Sequence, residues 1–262
     1  MRIFDCHAHI GSCHDGISGH YIECSESSLV AQMDAAGVDK AVVSHLGALQ
    51  DAVQANGDML AAAQRHNGRF IPLAWVAPGE VTLDDLHRML LGGFKGLKLH
   101  PTAGKFRADC DEAVDFLRLC GDLGMPALIH CAADEWSAPH LVASAAARAA
   151  ASGAGVRVIA AHMNLMGDAE EAILAAEETP NMYLDTSWAR PEDVLEAIGR
   201  LGASRILWGT DAPLAGLGPD GGHYAKDRVR GAILHHLPQE QAEMILWGNT
   251  QRIFDLDVEE VR

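Results

Sequence analysis

Eight short runs rich in Val, Ile and Leu recur along the chain. They are RIFDCH from Arg2, KAVVSH from Lys40, FIPLAWV from Phe70, FKGLKLH from Phe94, PALIHC from Pro126, VRVIAAH from Val156, NMYLDTS from Asn181 and RILWGTD from Arg205. Most lack strict alternation of apolar and polar residues, which predicts strands buried on both faces. Helical segments lie between them, with start and stop signals. Ser25 or Ser27 can cap a helix ending at Gly37, and Asn67-Gly68 closes a second. Thr82 with Asp85 opens a third that ends at Gly92-Gly93, and Gly124 stops a helix running from about Asp111. Ser137 with Pro139 starts an Ala-rich helix, Asp168 with Glu171 resembles a capping box, and Pro191 suits a first turn. A last helix follows Pro238.

Strand–helix alternation repeated eight times predicts either a closed (β/α)8 barrel or an open doubly wound sheet. The chain has 262 residues, the size of one such barrel. No linker, charge block or low-complexity tract divides it, so residues 1–262 read as a single domain.

Composition narrows the function classes. Apolar residues make up 48% and charged residues 21%, enough for a large core. The net charge of −16, from 36 acidic and 20 basic residues, disfavours a nucleic-acid partner. Six cysteines without a C-x-x-C pair read as reduced thiols, with Cys6 and Cys131 packing behind the site. No secretory signal is visible and no stretch approaches the roughly 20 apolar residues of a membrane helix. The expectation is a cytoplasmic enzyme of a small molecule, without membrane or nucleic-acid partner. Assembly into a homo-oligomer is left open.

Five residues at strand ends carry the chemistry: His7, His9, His130, His162 and Asp211. A parallel barrel gathers its strand ends around one cleft, and imidazole and carboxylate suit a divalent metal. His7 and His9, two apart on a strand, face the same way and can hold one ion, with Asp5 deeper on that face. His130 is a candidate third nitrogen ligand. Asp211 can coordinate the ion and also take a proton from water; its alternative is an ordinary turn residue before Pro213. His162 either binds a second metal or assists water and substrate, and the second role is preferred. Lys98 and His100 share one face of GLKLHP. Lys98 can bridge two metals as a carbamate, bind an anionic substrate or be structural; one metal and an unmodified amine are expected. His45, Trp75, Ser187 and Trp188 end other strands, where packing is as good an account as pocket lining. His45, Trp188, Lys98 and His100 are the candidate substrate contacts. The segment Gly11–Cys24, with His14, His20 and Tyr21, reads as a loop. The segment Ala212–Tyr224, with four glycines, is either a substrate lid or a surface loop.

Taken together, DCHAHIG, GLKLHP, LIHC, AAHM, LDTS, LWGTDAP and the closing WGNTQRIF resemble the amidohydrolase superfamily. They are most similar to the amidohydrolase-related branch that includes aminocarboxymuconate-semialdehyde decarboxylase. The resemblance implies a distorted (β/α)8 TIM barrel with one metal at its C-terminal mouth, zinc first and manganese second. It makes His7, His9, His130 and Asp211 the metal ligands and His162 the residue that polarises water or substrate. The branch contains hydrolases, decarboxylases and hydratases, and fold does not choose among them. The decarboxylases' substrate-binding arginine has no clear counterpart; Arg190 and Arg107 are nearest by loop position. The reading ranked first is a metal-dependent hydrolase of a lactone, amide or ester. Second stands non-oxidative decarboxylation of an unsaturated or aromatic acid, and third a non-catalytic barrel that binds a metal or ligand.

Overall fold

The computed structural model describes residues 1–14, 21–66, 68–214 and 228–256. His20, Asn67 and most of the expected lid after Ala212 fall outside these residues. Each of the eight runs contains a parallel strand. These are β1 (Phe4–His14), β3 (Lys40–His45), β4 (Phe70–Pro72) continued by β5 (Ala74–Trp75), β6 (Leu97–Leu99), β7 (Pro126–Ile129), β8 (Arg157–Ala160), β9 (Met182–Asp185) and β10 (Ile206–Leu207). Pairing follows chain order from β1 through β3 to β4, and from β5 to β10. Backbone bonds join the two sheets: Lys95 N, before β6, donates to Pro72 O, and Cys6 N to Trp208 O, both at 2.9 Å. Asp211 N to His7 O and His9 N to Ala212 O, both 2.7 Å, fasten the first strand to the last. The result is the expected (β/α)8 barrel.

The segment Gly11–Cys24 differs from the loop expected of it. Strand β1 runs on to His14 and pairs antiparallel with β2 (Tyr21–Cys24), in the register Gly11 to Cys24 and His14 to Tyr21. The reason is a short period-2 pattern: Ile22 and Cys24 are buried while Tyr21 and Glu23 are exposed.

A helix follows each barrel strand: α1 (Glu26–Ala36), α2 (Ala52–Arg65), α3 (Leu83–Leu91), α5 (Asp111–Asp122), after the short α4 (Pro101–Gly104), then α6 (Pro139–Ala150), α7 (Ala169–Glu178), α8 (Pro191–Leu201) and α9 (Arg228–His236). Short helices α10 (Gln239–Glu243) and α11 (Asn249–Ile253) follow. Ser25 caps α1, which ends on Gly37 at φ 67°, and Thr82 with Asp85 forms a capping box on α3. Two expected caps differ. Asp168 caps α7 through Glu170 N, while the Glu171 carboxylate accepts from Asn164 instead. Ser137 does not cap α6, because its hydroxyl is engaged by Thr102 and Asp134.

Side-chain alternation along the strands explains where the site lies. Phe4, Cys6, Val42, Ile71, Leu73, Leu128, Ile159 and Leu207 form one apolar cluster, closed below by Trp247, Ile253 and Phe254. Residues two further along each strand face the same way. They are Ser44, Trp75, His130, Ala161 and Gly209; Lys98 and His100 occupy the equivalent face of β6, and Asp185 follows Tyr183 on β9. The barrel interior is therefore apolar at its floor and polar at its C-terminal mouth. Cys6 departs from the expected opposite-face position. Pairing of β1 with β3 is irregular between Asp5 and Ala8, so Cys6 joins the interior cluster beneath His7.

Candidate metal centre

His7 and His9 stand on β1 with their rings 5.0 Å apart, and both side chains are buried. Each ring is held by its Nδ1 atom. His7 Nδ1 lies 2.6 Å from Asp185 Oδ2, and His9 Nδ1 lies 3.0 Å from Ser44 Oγ. Both Nε2 atoms are thereby turned toward one oxygen: Asp211 Oδ1 is 3.3 Å from His7 Nε2 and 2.9 Å from His9 Nε2. Ligands bonded tetrahedrally at about 2.0–2.1 Å are separated by about 3.3 Å. The two separations from Asp211 Oδ1 are close to this value, and the ligand atoms of the three residues lie within 4.8 Å of one another. A carboxylate behind a ligating imidazole is the usual arrangement around a metal, because it fixes the tautomer and raises ligand basicity.

Among the described residues, a second group of ligand-type atoms within 4.8 Å of one another is His7, His162 and Asp185. A hydroxyl sits inside it. Ser187 Oγ lies 2.8 Å from His162 Nδ1 and 2.9 Å from Asp185 Oδ2. That group is bridged by hydrogen bonds through the Ser187 hydroxyl.

The remaining sequence candidates are distributed as follows. His130 belongs to neither group; its ring stacks on His100 at 3.8 Å and meets His162 edge-on at 4.9 Å. His100 continues the stack to Trp75 at 5.9 Å and is pinned by Ala103 N, which donates to its Nδ1. Lys98 Nζ lies 2.8 Å from His7 Nε2 and over the Trp75 ring. His45 faces away from these groups: it follows the inward-facing Ser44, accepts from Gly47 N and lines a separate cavity of about 300 Å³ with Gly11, Glu26 and Asp58. Arg107 and Arg190 are surface residues paired with Asp109 and Asp193. Trp188 is half exposed, yet its Nε1 donates to Asp211 Oδ2 at 2.7 Å.

Electrostatics follows from burial. Burial pushes the Lys98 amine down to about 8, opposed by the charges of Asp211 and Asp185. It takes His162 down to about 3, again against Asp211, and holds His7 and His130 well below the ordinary imidazole value. For Asp211, burial acts upward, but His7, His9 and His162 together outweigh it and keep the carboxyl well below its usual range. A cation requires imidazole lone pairs and a negative carboxylate, and each of these directions runs toward that state.

Three of these residues have left-handed backbones: His162 (φ 69°), Trp188 (φ 61°) and Asp211 (φ 57°). Such conformations cost non-glycine residues of order 1–3 kcal/mol each and cluster where function requires a fixed geometry.

Asp185 and Ser187 lie at the centre of the network. Asp185 received no role from the sequence, although it ends a buried strand in LDTS. Its approach to β10 depends on Gly209, where a Cβ would lie 2.5 Å from Asp185 Oδ1.

The chain belongs to the amidohydrolase family, whose model matches residues 4–256. Its fold is shared with 2,6-dihydroxybenzoate decarboxylase from Rhizobium (18% identity, TM-score 0.74, covering 98% of this chain and 100% of that one). It is also shared with a probable 2-pyrone-4,6-dicarboxylic acid hydrolase from Acinetobacter baumannii (17%, 0.72, 98% and 100%). A third similar structure, dihydroxybenzoic acid decarboxylase from Polaromonas, holds manganese and the inhibitor 2-nitroresorcinol (18%, 0.73, 99% and 98%). No curated protein matches the sequence. Among the described residues, no helix is long and apolar enough to cross a membrane.

The bond from Trp188 to Asp211 makes a prediction. Trp188→Phe removes one donor while keeping an aromatic ring. Metal affinity should fall by about 10–100-fold, the usual cost of losing an outer partner of a ligand. Competition against a chelator measures this, and an unchanged affinity would show that Asp211 is placed without the indole.

Proposed function

We propose that the protein is a metal-dependent hydrolase of a small carbonyl substrate, a lactone, amide or ester. The observation that carries this reading is the convergence of His7 Nε2, His9 Nε2 and Asp211 Oδ1 at ligand spacing. These three residues would hold one divalent ion, zinc first and manganese second, with His130 as the further candidate ligand. A divalent ion there supplies Lewis acidity, which acidifies water and polarises a carbonyl. His162, buried with its ring stacked 5.1 Å from that of His7, takes the proton released as water attacks and returns it to the leaving atom. Asp211 is less suited to that task, because both of its oxygens have partners. Lys98, an unmodified amine whose neutral form burial favours, and His100 face the substrate with Trp188 at the rim. Trp188 also fixes the Asp211 carboxylate. The substrate is expected to be the main partner, in a cytoplasmic setting.

Decarboxylation is the second reading, favoured by the fold shared with dihydroxybenzoate decarboxylases. Against it, Arg107 and Arg190 are tied to surface carboxylates, which leaves Lys98, among the described residues near the site, to hold a carboxylate substrate. Metal-loaded protein should be screened against lactones and esters by proton release, against amides by amine release, and against aromatic acids by trapping carbon dioxide. Proton or amine release without carbon dioxide supports hydrolysis; carbon dioxide from an aromatic acid, with no hydrolytic turnover, supports the alternative.

A further inference from the structure

We infer that Ser187 is a positioning residue which, backed by Asp185, fixes the tautomer of His162 and leaves Nε2 of that ring as the proton acceptor. The inference deepens the reading of His162 given above and rests on it for its catalytic consequence. The positions of the protons follow from counting donors. Asp185 Oδ2 is a carboxylate oxygen 2.9 Å from Ser187 Oγ, and two oxygens at that distance need a hydrogen between them. Ser187 has one hydroxyl hydrogen, so it donates to Asp185. The same Oγ lies 2.8 Å from His162 Nδ1. With its only hydrogen committed, Ser187 can accept there and cannot donate. His162 Nδ1 must therefore carry the N–H, and a neutral ring then has a bare lone pair on Nε2, on the far side from Ser187.

The carboxylate end is equally constrained. Asp185 accepts from Ser187 N at its Oδ1 (2.6 Å) and lies 2.6 Å from His7 Nδ1 at its Oδ2. Asp185, Ser187 and His162 are all buried, so water does not compete for these bonds. One carboxylate thus orients a candidate metal ligand directly and the candidate base through a hydroxyl. The relay also has a task during the reaction. As the substrate water loses its proton, its O–H bond breaks, an Nε2–H bond forms, and the oxygen's electron pair adds to the carbonyl carbon. The imidazolium so produced keeps its Nδ1–H on Ser187, whose hydrogen stays on Asp185, and the negative carboxylate stabilises the transient positive ring. The carbonyl π pair, pushed onto its oxygen by the attack, then returns and breaks the bond from carbon to the leaving atom, which takes the proton from Nε2; the neutral ring is restored with no net change at Ser187 or Asp185.

The test uses the full-length protein with ring-¹⁵N-labelled histidine and needs no knowledge of the substrate. His162→Asn assigns the His162 resonances. In the wild type, Nδ1 should show the signature of a protonated nitrogen and Nε2 that of a bare one. Ser187→Ala should lose this bias, and Ser187→Thr, which keeps the hydroxyl, should restore it. Chelator competition should show metal affinity unchanged in both, because the bond between His7 and Asp185 remains. With a turned-over substrate in hand, kcat of Ser187→Ala should fall by about 10–10²-fold, part of the 10²–10⁴-fold a general base supplies, with KM little altered. A wild-type ring protonated on Nε2, or a tautomer indifferent to Ser187→Ala, overturns the positioning role. A lost bias with unchanged kcat upholds the positioning and overturns His162 as the proton acceptor. The wild-type spectrum alone keeps the inference open to refutation if a variant fails to fold.

Discussion

His162→Asn is expected to lower kcat by about 10²–10⁴-fold, the usual contribution of a general base, while the protein keeps its metal. Asn is the informative replacement because residue 162 has φ 69°, and Asn tolerates that conformation better than other side chains of its size. A loss of activity then reports the missing imidazole rather than a relaxed loop. His130→Ala is the contrasting variant: it should shed metal, since His130 is the further candidate ligand. Metal content by elemental analysis, measured beside single-turnover rates, separates the two. If His162→Asn empties the site as thoroughly as His130→Ala, then His162 is a ligand and the second ligand-type group around Asp185 is a metal site.

Asp211→Asn should cost more than the roughly 10–100-fold in metal affinity that the loss of an outer partner causes, and turnover should fall to background. The substitution is isosteric and suits φ 57°; with its oxygen on the Trp188 indole, an amide nitrogen replaces Oδ1, so the charge and the ligating lone pair toward His7 and His9 are removed together. Burial opposes the charged form of Asp211, and the surrounding imidazoles keep it ionised nonetheless. A cation bound there would meet that carboxylate with His7 and His9 Nε2 beside it. Chelator competition and thermal melting, run together, are the measurements. Affinity reduced tenfold or less, with the fold intact, would show that the carboxylate is not a ligand.

The eight barrel strands were legible because strands buried on both faces leave an unmistakable apolar run, and the helices between them carry strong caps at Ser25, Thr82 and Gly37. The strand-end positions of His7, His9 and Asp211 were legible because H-x-H and GTD close apolar runs, and the structure brings the three side chains together. Less legible were features that depend on three-dimensional approach. The hairpin partner Tyr21–Cys24 is four residues long, too short for its alternation to stand out among polar neighbours. The β1 irregularity that turns Cys6 inward leaves no mark in composition. Asp185 and Ser187 look like an ordinary strand end in sequence. Their contacts appear only once the barrel brings His7 on β1 and His162 beyond β8 to the carboxylate and hydroxyl that follow β9. His45 ends its strand as the site histidines do, yet alternation turns Ser44 inward and sends His45 to the neighbouring cavity.

The central claim is that one divalent ion is held by His7, His9 and Asp211. Anomalous diffraction from crystals grown with manganese tests it most directly, because it locates the ion independently of activity. The account predicts one peak per chain, within bonding distance of His7 Nε2, His9 Nε2 and Asp211 Oδ1. No peak at these atoms, or a peak between His162 and Asp185 instead, would contradict it.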